Sequence, residues 1–113
     1  MKKEGDFLDK ELMKGSIDLL LLSLLSQKEL YGYEMTKILR QMSEGQYEIS
    51  EGTLYPALKR LERKEFIEGY WKESESGRRK YYRITDSGQT ELERKRSSFT
   101  FLENLVRKSA EDF

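Results

Sequence analysis

The stretch that most constrains the fold of this chain is residues 49–64, which read ISEGTLYPALKRLERK. Within it Leu54, Leu58 and Leu61 fall at i, i+4 and i+7, the spacing of one apolar stripe on a helix. The opposite side is small at its start and basic towards its end, and it carries Gly52, Thr53, Pro56, Lys59, Arg60 and Arg63. A small end can approach a base edge and a basic end can meet phosphates. The pattern therefore predicts a DNA recognition helix.

Local signals place the start of this helix. Ser50 is the predicted N-cap, with a side-chain oxygen available to an unpaired amide. Ile49 and Leu54 have the spacing of a hydrophobic staple. Pro56 removes the hydrogen bond to the carbonyl of Gly52, which predicts a bent or loosened first turn. The alternative is that Pro56 only shapes this turn and has no part in binding.

Composition limits the function. The chain has 113 residues, of which 36% are hydrophobic and 37% charged, and this low apolar fraction suggests that a partner chain completes part of the core. Lys and Arg together number 21, as do Asp and Glu, so the formal net charge is zero. A globally basic DNA binder is excluded, but a locally basic surface is not, because the position of the charge steers a polyanion.

The chain contains neither cysteine nor histidine. Disulfides and the usual zinc, copper and iron–sulfur ligands are therefore missing, and so are Ser–His and Cys–His catalysis. We expect neither an enzyme nor a cofactor. The start, MKKEGDFLDK, lacks the apolar core of a signal peptide, and the longest apolar run, residues 19–22, is too short to span a bilayer. These features predict a cytoplasmic protein without a membrane partner.

Two helices are predicted before the recognition helix. The first, residues 10–26, is apolar around much of its circumference, through Leu12, Ile17, Leu20, Leu21, Leu24 and Leu25. It can pack on its own domain and on a second protomer, or it can be a single central core helix. After a connection at residues 27–30, the second helix runs from residue 31 or 32 to residue 44, and Gly45 ends it.

Two strands and a last helix are predicted after it. Residues 66–73 and 80–84 read as strands, joined by the Gly-containing turn SESGRR. Arg78, Arg79 and Lys80 then lie at the tip of a hairpin, where they either contact phosphates or form a solvated surface. The final helix begins at residue 85 or 86, since Thr85 and Asp86 are both candidate caps, and continues to about residue 110.

The final helix carries a heptad-like apolar seam. Leu92, Phe99 and Val106 are seven residues apart, and Leu102 falls three beyond Phe99. No later element can cover this seam, so it indicates packing between two copies of the chain; folding back onto its own domain is the alternative.

The predicted order is α-α-α-β-β-α. The fold class is mainly α (α+β), a winged helix-turn-helix with a long C-terminal dimerisation helix. We divide the chain into a DNA-binding domain, residues 1–85, and the dimerisation helix, residues 86–113.

Four stretches then match a known family. The chain resembles the PadR family of bacterial transcriptional regulators in LYGYEM at residues 30–35, EGTLYPALKRLE at 51–62, WKESESGRRKYYRIT at 71–85, and Gly88. Together they cover roughly residues 12–106 in the expected order. The Tyr55–Pro56 pair separates this pattern from the looser one of other winged helices. The end of the chain soon after the last helix is similar to the short branch of the family.

The resemblance implies a homodimeric repressor that binds a palindromic operator in double-stranded DNA. Its recognition residues would be Gly52, Thr53, Tyr55, Pro56, Lys59 and Arg60, with Arg63 on the same basic face; its wing residues would be Arg78, Arg79 and Lys80, and Tyr33 and Ser50 would contact phosphates. The first and last helices would form the dimer interface, through Leu12, Ile17, Leu20, Leu92, Phe99, Leu102 and Val106.

The resemblance also implies a small planar effector. Some short relatives bind such molecules between their two final helices, where an aromatic ring, often tryptophan, stacks on the ligand. Phe99 takes that position here, and otherwise it fills the dimer core. The rival functions are a winged helix that binds protein and no specific DNA, an enzyme, and a metal-sensing repressor. The basic positions argue against the first, and the missing His and Cys against the other two.

Overall fold

The computed structural model describes residues 8–111. Five helices and three strands follow one another in the order α1 (Lys10–Lys14), α2 (Ile17–Gln27), β1 (Leu30–Tyr31), α3 (Gly32–Met42), α4 (Glu51–Arg63), β2 (Ile67–Ser74), β3 (Gly77–Ile84) and α5 (Asp86–Glu111). The predicted winged helix-turn-helix class with a long last helix is confirmed. The outer ends of the two predicted domains, residues 1–7 and 112–113, lie outside the described residues.

The first predicted helix is two helices. Gly15 ends α1 and its N–H donates to the carbonyl of Glu11 at 3.3 Å. Ser16 then precedes α2, which buries Ile17 and four leucines in the core. Glycine and serine both weaken a helix interior. Gly15 and Ser16 therefore interrupt the single helix that the continuous apolar pattern predicted.

The sheet has three antiparallel strands in the order β1-β3-β2. Strand β1 was not predicted, since only two residues form it and their partners, Tyr82 and Tyr81, lie about fifty positions later in the chain. Strand β2 is shifted by one residue from its predicted position, and β3 is longer than predicted, because Ser74 pairs with Gly77 and only Glu75 and Ser76 form the turn. Gly77 has φ +114°, a conformation that glycine adopts without a Cβ penalty.

One apolar core lies between the helices and the inner face of the sheet. It joins Leu21 and Leu22 of α2, Met35 of α3, Leu54, Leu58 and Leu61 of α4, Ile67 of β2, and Leu92 of α5. The periodic leucines of α4 are thus core residues, as their spacing predicts. Helix α3 ends at Met42, two residues earlier than predicted, and Gly45 follows with φ +83°.

A hydrogen-bonded corner joins the end of α4 to the start of α5. The hydroxyls of Thr85 and Ser87 both donate to the carbonyl of Glu65, at 2.7 and 2.9 Å. Thr85 also accepts from the N–H of Gly88 at 3.0 Å, so Thr85 caps α5, and Asp86 is its first residue. This corner fixes the direction in which α5 leaves the domain.

Candidate nucleic-acid interface

Helix α4 has the two faces that its sequence predicts. Leu54, Ala57, Leu58 and Leu61 are buried. The other side is exposed, and it carries Gly52, Thr53, Tyr55, Pro56, Lys59 and Arg63. The helix is continuous from Glu51 to Arg63 through Pro56, so the proline does not interrupt it. The buried leucines fix the rotation of α4, and this rotation presents the candidate recognition residues to solvent.

The first turn of α4 differs in detail from the prediction. Ser50 occupies the N-cap position, but its hydroxyl caps no amide. The hydroxyl donates instead to the Thr53 hydroxyl at 3.1 Å. The carbonyl of Ser50 accepts the N–H groups of Thr53 and Leu54 at 3.0 and 2.8 Å. The bond between the two hydroxyls holds the Thr53 side chain at the exposed start of the helix.

Two tyrosines flank the start of α3. The ring of Tyr55 reaches from α4 onto Gly32, where an added Cβ would lie 2.8 Å from the phenolic oxygen. Tyr33 is the next residue of α3 and is exposed. In the same turn the Glu34 carboxylate accepts the Tyr31 N–H at 3.1 Å, which caps the helix. Tyr55 therefore contacts the residue that precedes Tyr33, the other tyrosine predicted to contact DNA.

Arg60 is held by a residue that sequence analysis missed. Its Nη2 donates to Asp18 Oδ1 of α2 at 2.6 Å, and the Asp18 side chain is only 19% exposed. Among the predicted recognition cations, Arg60 is thus directed towards α2, whereas Lys59 and Arg63 are exposed. A single aspartate near the start of a leucine-rich helix was the only sequence signal for this ion pair.

Arg78, Arg79 and Lys80 do not form one cluster at the hairpin tip. They lie in β3, where successive side chains point to opposite faces. Arg78 stacks over Trp71, 5.0 Å from the ring centroid, and Arg79 lies over Tyr31 at 4.4 Å. Lys80 bonds to Glu62 of α4 at 3.3 Å. The start of β3 was predicted as turn, because the apolar pattern that indicates a strand does not detect glycine and basic residues.

The outer face of the sheet carries a row of tyrosines that sequence analysis did not single out. Tyr81 stacks on Tyr70, with 6.0 Å between centroids, and meets the edge of Tyr31 at 5.4 Å. Lys72 and Arg83 lie over the rings of Tyr81 and Tyr70. The Tyr70 hydroxyl donates to Glu29, and this hydrogen bond raises the pKa of Tyr70. Register with β1 brings these rings together, which a local pattern cannot reveal.

The predicted dimer residues fall into two groups. Leu92 is 1% exposed and Ile17 is also buried, both in the core of their own chain, and Leu20 packs partly against that core. Leu92, expected on the seam of the last helix, and Ile17, expected at the dimer interface, are thus buried within their own chain, because α2 and α5 pack on each other. Exposed apolar side chains remain on α1 and the rest of α5: Leu12, Phe99, Phe101, Leu102, Leu105 and Val106.

Helix α3, the turn after it, helix α4 and the β2–β3 hairpin define a winged helix-turn-helix protein, a class of DNA-binding fold. Within residues 8–111, every helix is too short or too polar to cross a membrane. The sequence profile of the "Transcriptional regulator PadR-like family" matches residues 21–94. The chain belongs to this family.

Solved structures agree with this assignment. A transcriptional regulator from Clostridium thermocellum is 35% identical, superimposes with a TM-score of 0.84, and matches over 89% of this chain and 96% of its own. A PadR family transcription regulator from Clostridium difficile is 40% identical, with a TM-score of 0.76 over 84% of this chain and 98% of its own.

Relatives known by sequence extend the comparison. An uncharacterized protein of Lysinibacillus sphaericus is 40% identical over 73% of this chain and 76% of its own length. The Transcriptional regulator YqjI of Escherichia coli is 29% identical over 82% of this chain, and this match spans 44% of YqjI. The similarity to YqjI is therefore confined to less than half of that protein.

Proposed function

We propose that the chain is a homodimeric repressor that binds a palindromic operator in double-stranded DNA. The observation that supports this most is the exposed face of α4, which is small at Gly52 and Thr53 and basic at Lys59 and Arg63. Four buried side chains anchor the other face of this helix. A rigid helix with such a face can enter the major groove at its small end and meet phosphates along its basic side.

Each DNA contact has a proposed role. Gly52, Thr53, Tyr55 and Pro56 face the bases, and Lys59 and Arg63 face phosphates. Tyr33 and Ser50 contact the backbone beside the start of α4. Arg60 stays on Asp18 and positions α4. Arg79, which lies over Tyr31 on the opposite face of β3, adds positive charge to the hairpin, and Arg78 contacts flanking DNA from the face that it shares with Lys80. Lys80, which bonds to Glu62, contributes charge to that face.

The proposed dimer uses the outer part of α5. Phe99, Phe101, Leu102, Leu105 and Val106 are between 50% and 68% exposed in the single chain, and Leu12 of α1 is exposed as well. Such a contiguous apolar surface on a projecting helix is typical of an interface. A twofold axis through it would place two copies of α4 for the two half-sites of a palindrome.

Repression would follow from occupancy of a promoter by the dimer in the cytoplasm. In this proposal residues 1–85 bind DNA and residues 86–113 dimerise. A small planar effector between the two α5 helices, with Phe99 against its ring, would release the dimer by favouring a different separation of the recognition helices. Only a difference in effector affinity between the two arrangements can shift that balance.

DNA recognition is tested by selecting bound duplexes from a random pool and titrating the selected duplex. We expect a palindromic consensus. Thr53→Val should reduce the preference for the consensus over random DNA, and Lys59→Ala should weaken both and lower the salt slope by about one. Lys28→Ala, which removes an exposed lysine outside the site, is the charge-matched control and should bind as the wild type does. A pool that yields no consensus contradicts the proposal.

The dimer is tested separately by sedimentation. Leu102→Asp places a charge in the exposed apolar surface of α5 and should give a monomer at micromolar concentration. Thr100→Asp adds the same charge at an exposed position on the opposite side of the helix and should leave the dimer intact. A wild-type chain that sediments as a monomer throughout this range excludes the homodimer.

A further inference from the structure

Trp71, the single tryptophan of the chain, lies on the hairpin with 57% of its surface exposed. Ile67 is on the same face of β2 and is 1% exposed, because α4 packs against the base of this strand. Trp71 lies four residues further out, beyond the part of the strand that the core covers. Tryptophan is enriched at interfaces because it joins a large apolar ring to an N–H donor, so its exposure here makes it a candidate for a contact.

Arg78 accompanies the indole on the same face. The register pairs Trp71 with Lys80 and Glu73 with Arg78, so Arg78 is the diagonal cross-strand neighbour of Trp71. Its guanidinium carbon lies 5.0 Å from the ring centroid, and the side chain is exposed. A guanidinium over a ring keeps its donor edge available, so the indole orders Arg78 while leaving it free to bind an anion.

The pair lies on the side of the hairpin that faces the recognition helix. Lys80, the cross-strand partner of Trp71, bonds to Glu62 of α4 at 3.3 Å. The opposite face of the same strands carries the row of tyrosines, with Arg83 over Tyr70. The surface of Trp71 and Arg78 is therefore continuous with α4, and the tyrosine row is turned away from it.

We propose that Trp71 and Arg78 together bind the sugar–phosphate backbone of duplex DNA beside the groove that α4 enters. The indole packs on deoxyribose, whose carbon-rich face matches an apolar ring, and the guanidinium binds the adjoining phosphate. This inference rests on the proposed function and adds Trp71 to the DNA-binding residues.

The single tryptophan makes a direct test available, because all indole fluorescence of the full chain comes from Trp71. The probe is a fluorescein-labelled 30-base-pair duplex carrying the selected consensus, with binding followed by anisotropy. An unlabelled duplex of the same sequence is used for tryptophan emission and acrylamide quenching. Acrylamide should quench the free protein readily and the saturated complex at least about twofold less. Equal quenching of the two overturns the inference.

Three variants separate the two partners of the proposed contact. Trp71→Ala should weaken binding about tenfold at constant salt slope, because no charge is lost, and Trp71→Phe should recover part of the affinity. Arg78→Ala should lower the salt slope by about one. Arg83→Ala is the matched control, because Arg83 likewise lies over an aromatic ring, that of Tyr70, but on the opposite face of the sheet. This variant should bind as the wild type does.

The outcomes distinguish the two proposals. If wild-type anisotropy does not respond to the consensus duplex, both the proposed function and this inference fail. If the wild type binds while Trp71→Ala and Trp71→Phe bind equally well, the inference fails and the proposed function stands. Protection of the indole together with weaker binding by Trp71→Ala supports both.

Discussion

The ring of Tyr55 lies against the backbone of Gly32, joining helix α4 to the first turn of α3. A Cβ at Gly32 would lie 2.8–3.0 Å from three atoms of the tyrosine, its hydroxyl oxygen and two ring carbons. Gly32 is buried and begins α3, and its φ is not in the left-handed region. Glycine is therefore favoured here because Tyr55 leaves no room for a Cβ. The backbone conformation itself is one that alanine could adopt.

Gly32→Ala should displace Tyr55 while leaving the fold intact. The atoms in the way belong to the outer end of a side chain that is 44% exposed, so the ring can move outward. We expect the free energy of unfolding to change by less than about 1 kcal/mol. Operator binding should fall severalfold because Tyr55 leaves its place. Urea denaturation and DNA titration measure the two effects, and unchanged binding would show that the position of Tyr55 does not matter to recognition.

Gly88→Ala is the contrasting control for this prediction. A Cβ there would meet the carbonyl of Phe66, a backbone atom that cannot move aside. We expect a loss of about 2 kcal/mol or more in the free energy of unfolding. A stable Gly88→Ala variant would contradict the packing of α5 against the segment before β2.

Gly52→Ala should increase the stability of the protein while it weakens DNA binding. The nearest atom to a Cβ at Gly52 is the Ser50 hydroxyl at 3.9 Å, so packing does not require glycine here. Alanine should stabilise α4 by about 0.5 kcal/mol. If this position approaches a base edge, the added methyl group should nevertheless weaken operator binding. A variant that is both more stable and equally tight would remove Gly52 from the recognition surface.

Asp18 and Arg60 should contribute jointly to the free energy of unfolding, and Arg60 should not contribute to the salt dependence of DNA binding. The pair is partly shielded, with side chains 19% and 42% exposed, and it connects α2 to α4. A double-mutant cycle of Asp18→Asn and Arg60→Gln should give a coupling of about 0.5–1 kcal/mol. The salt slope of DNA binding should remain that of the wild type in Arg60→Gln. A slope lowered by one would assign Arg60 to a phosphate instead.

The sequence predicted what depends on local spacing and left out what depends on distant partners. The leucine stripe of α4 follows from periodicity and was correctly placed, whereas Gly45, expected to end α3, has a positive φ but lies beyond the end of that helix at Met42. Strand β1, the tyrosine row and the Asp18–Arg60 pair each need residues about forty to fifty positions apart. Leu92 shows the limit of the heptad pattern, because the pattern does not distinguish a residue in the core of its own chain from one that contacts a second copy.

Glu91 should make the start of α5 sensitive to acid. Its carboxylate accepts from Arg94 Nη2 at 2.7 Å and from Nε at 2.9 Å, and Lys95 Nζ lies 3.5 Å away. The hydrogen bonds from Arg94 hold the pKa of Glu91 below its ordinary value, while partial burial opposes them. A carboxyl with a depressed pKa in the folded state contributes stability that is fully present above its unfolded pKa. That contribution is lost as pH falls through the depressed folded value.

Glu91→Gln should therefore have a lower urea midpoint than the wild type at pH 7, and the two midpoints should converge as pH falls below the ordinary carboxyl pKa of about 4. The matched control is Glu103→Gln, which also removes an acid that pairs with an arginine on α5. Both side chains of the Glu103–Arg107 pair are more than half exposed, so this change should have little effect at either pH. A gap between Glu91→Gln and wild type that persists unchanged into acid would mean that packing, and not charge, is what Glu91 contributes.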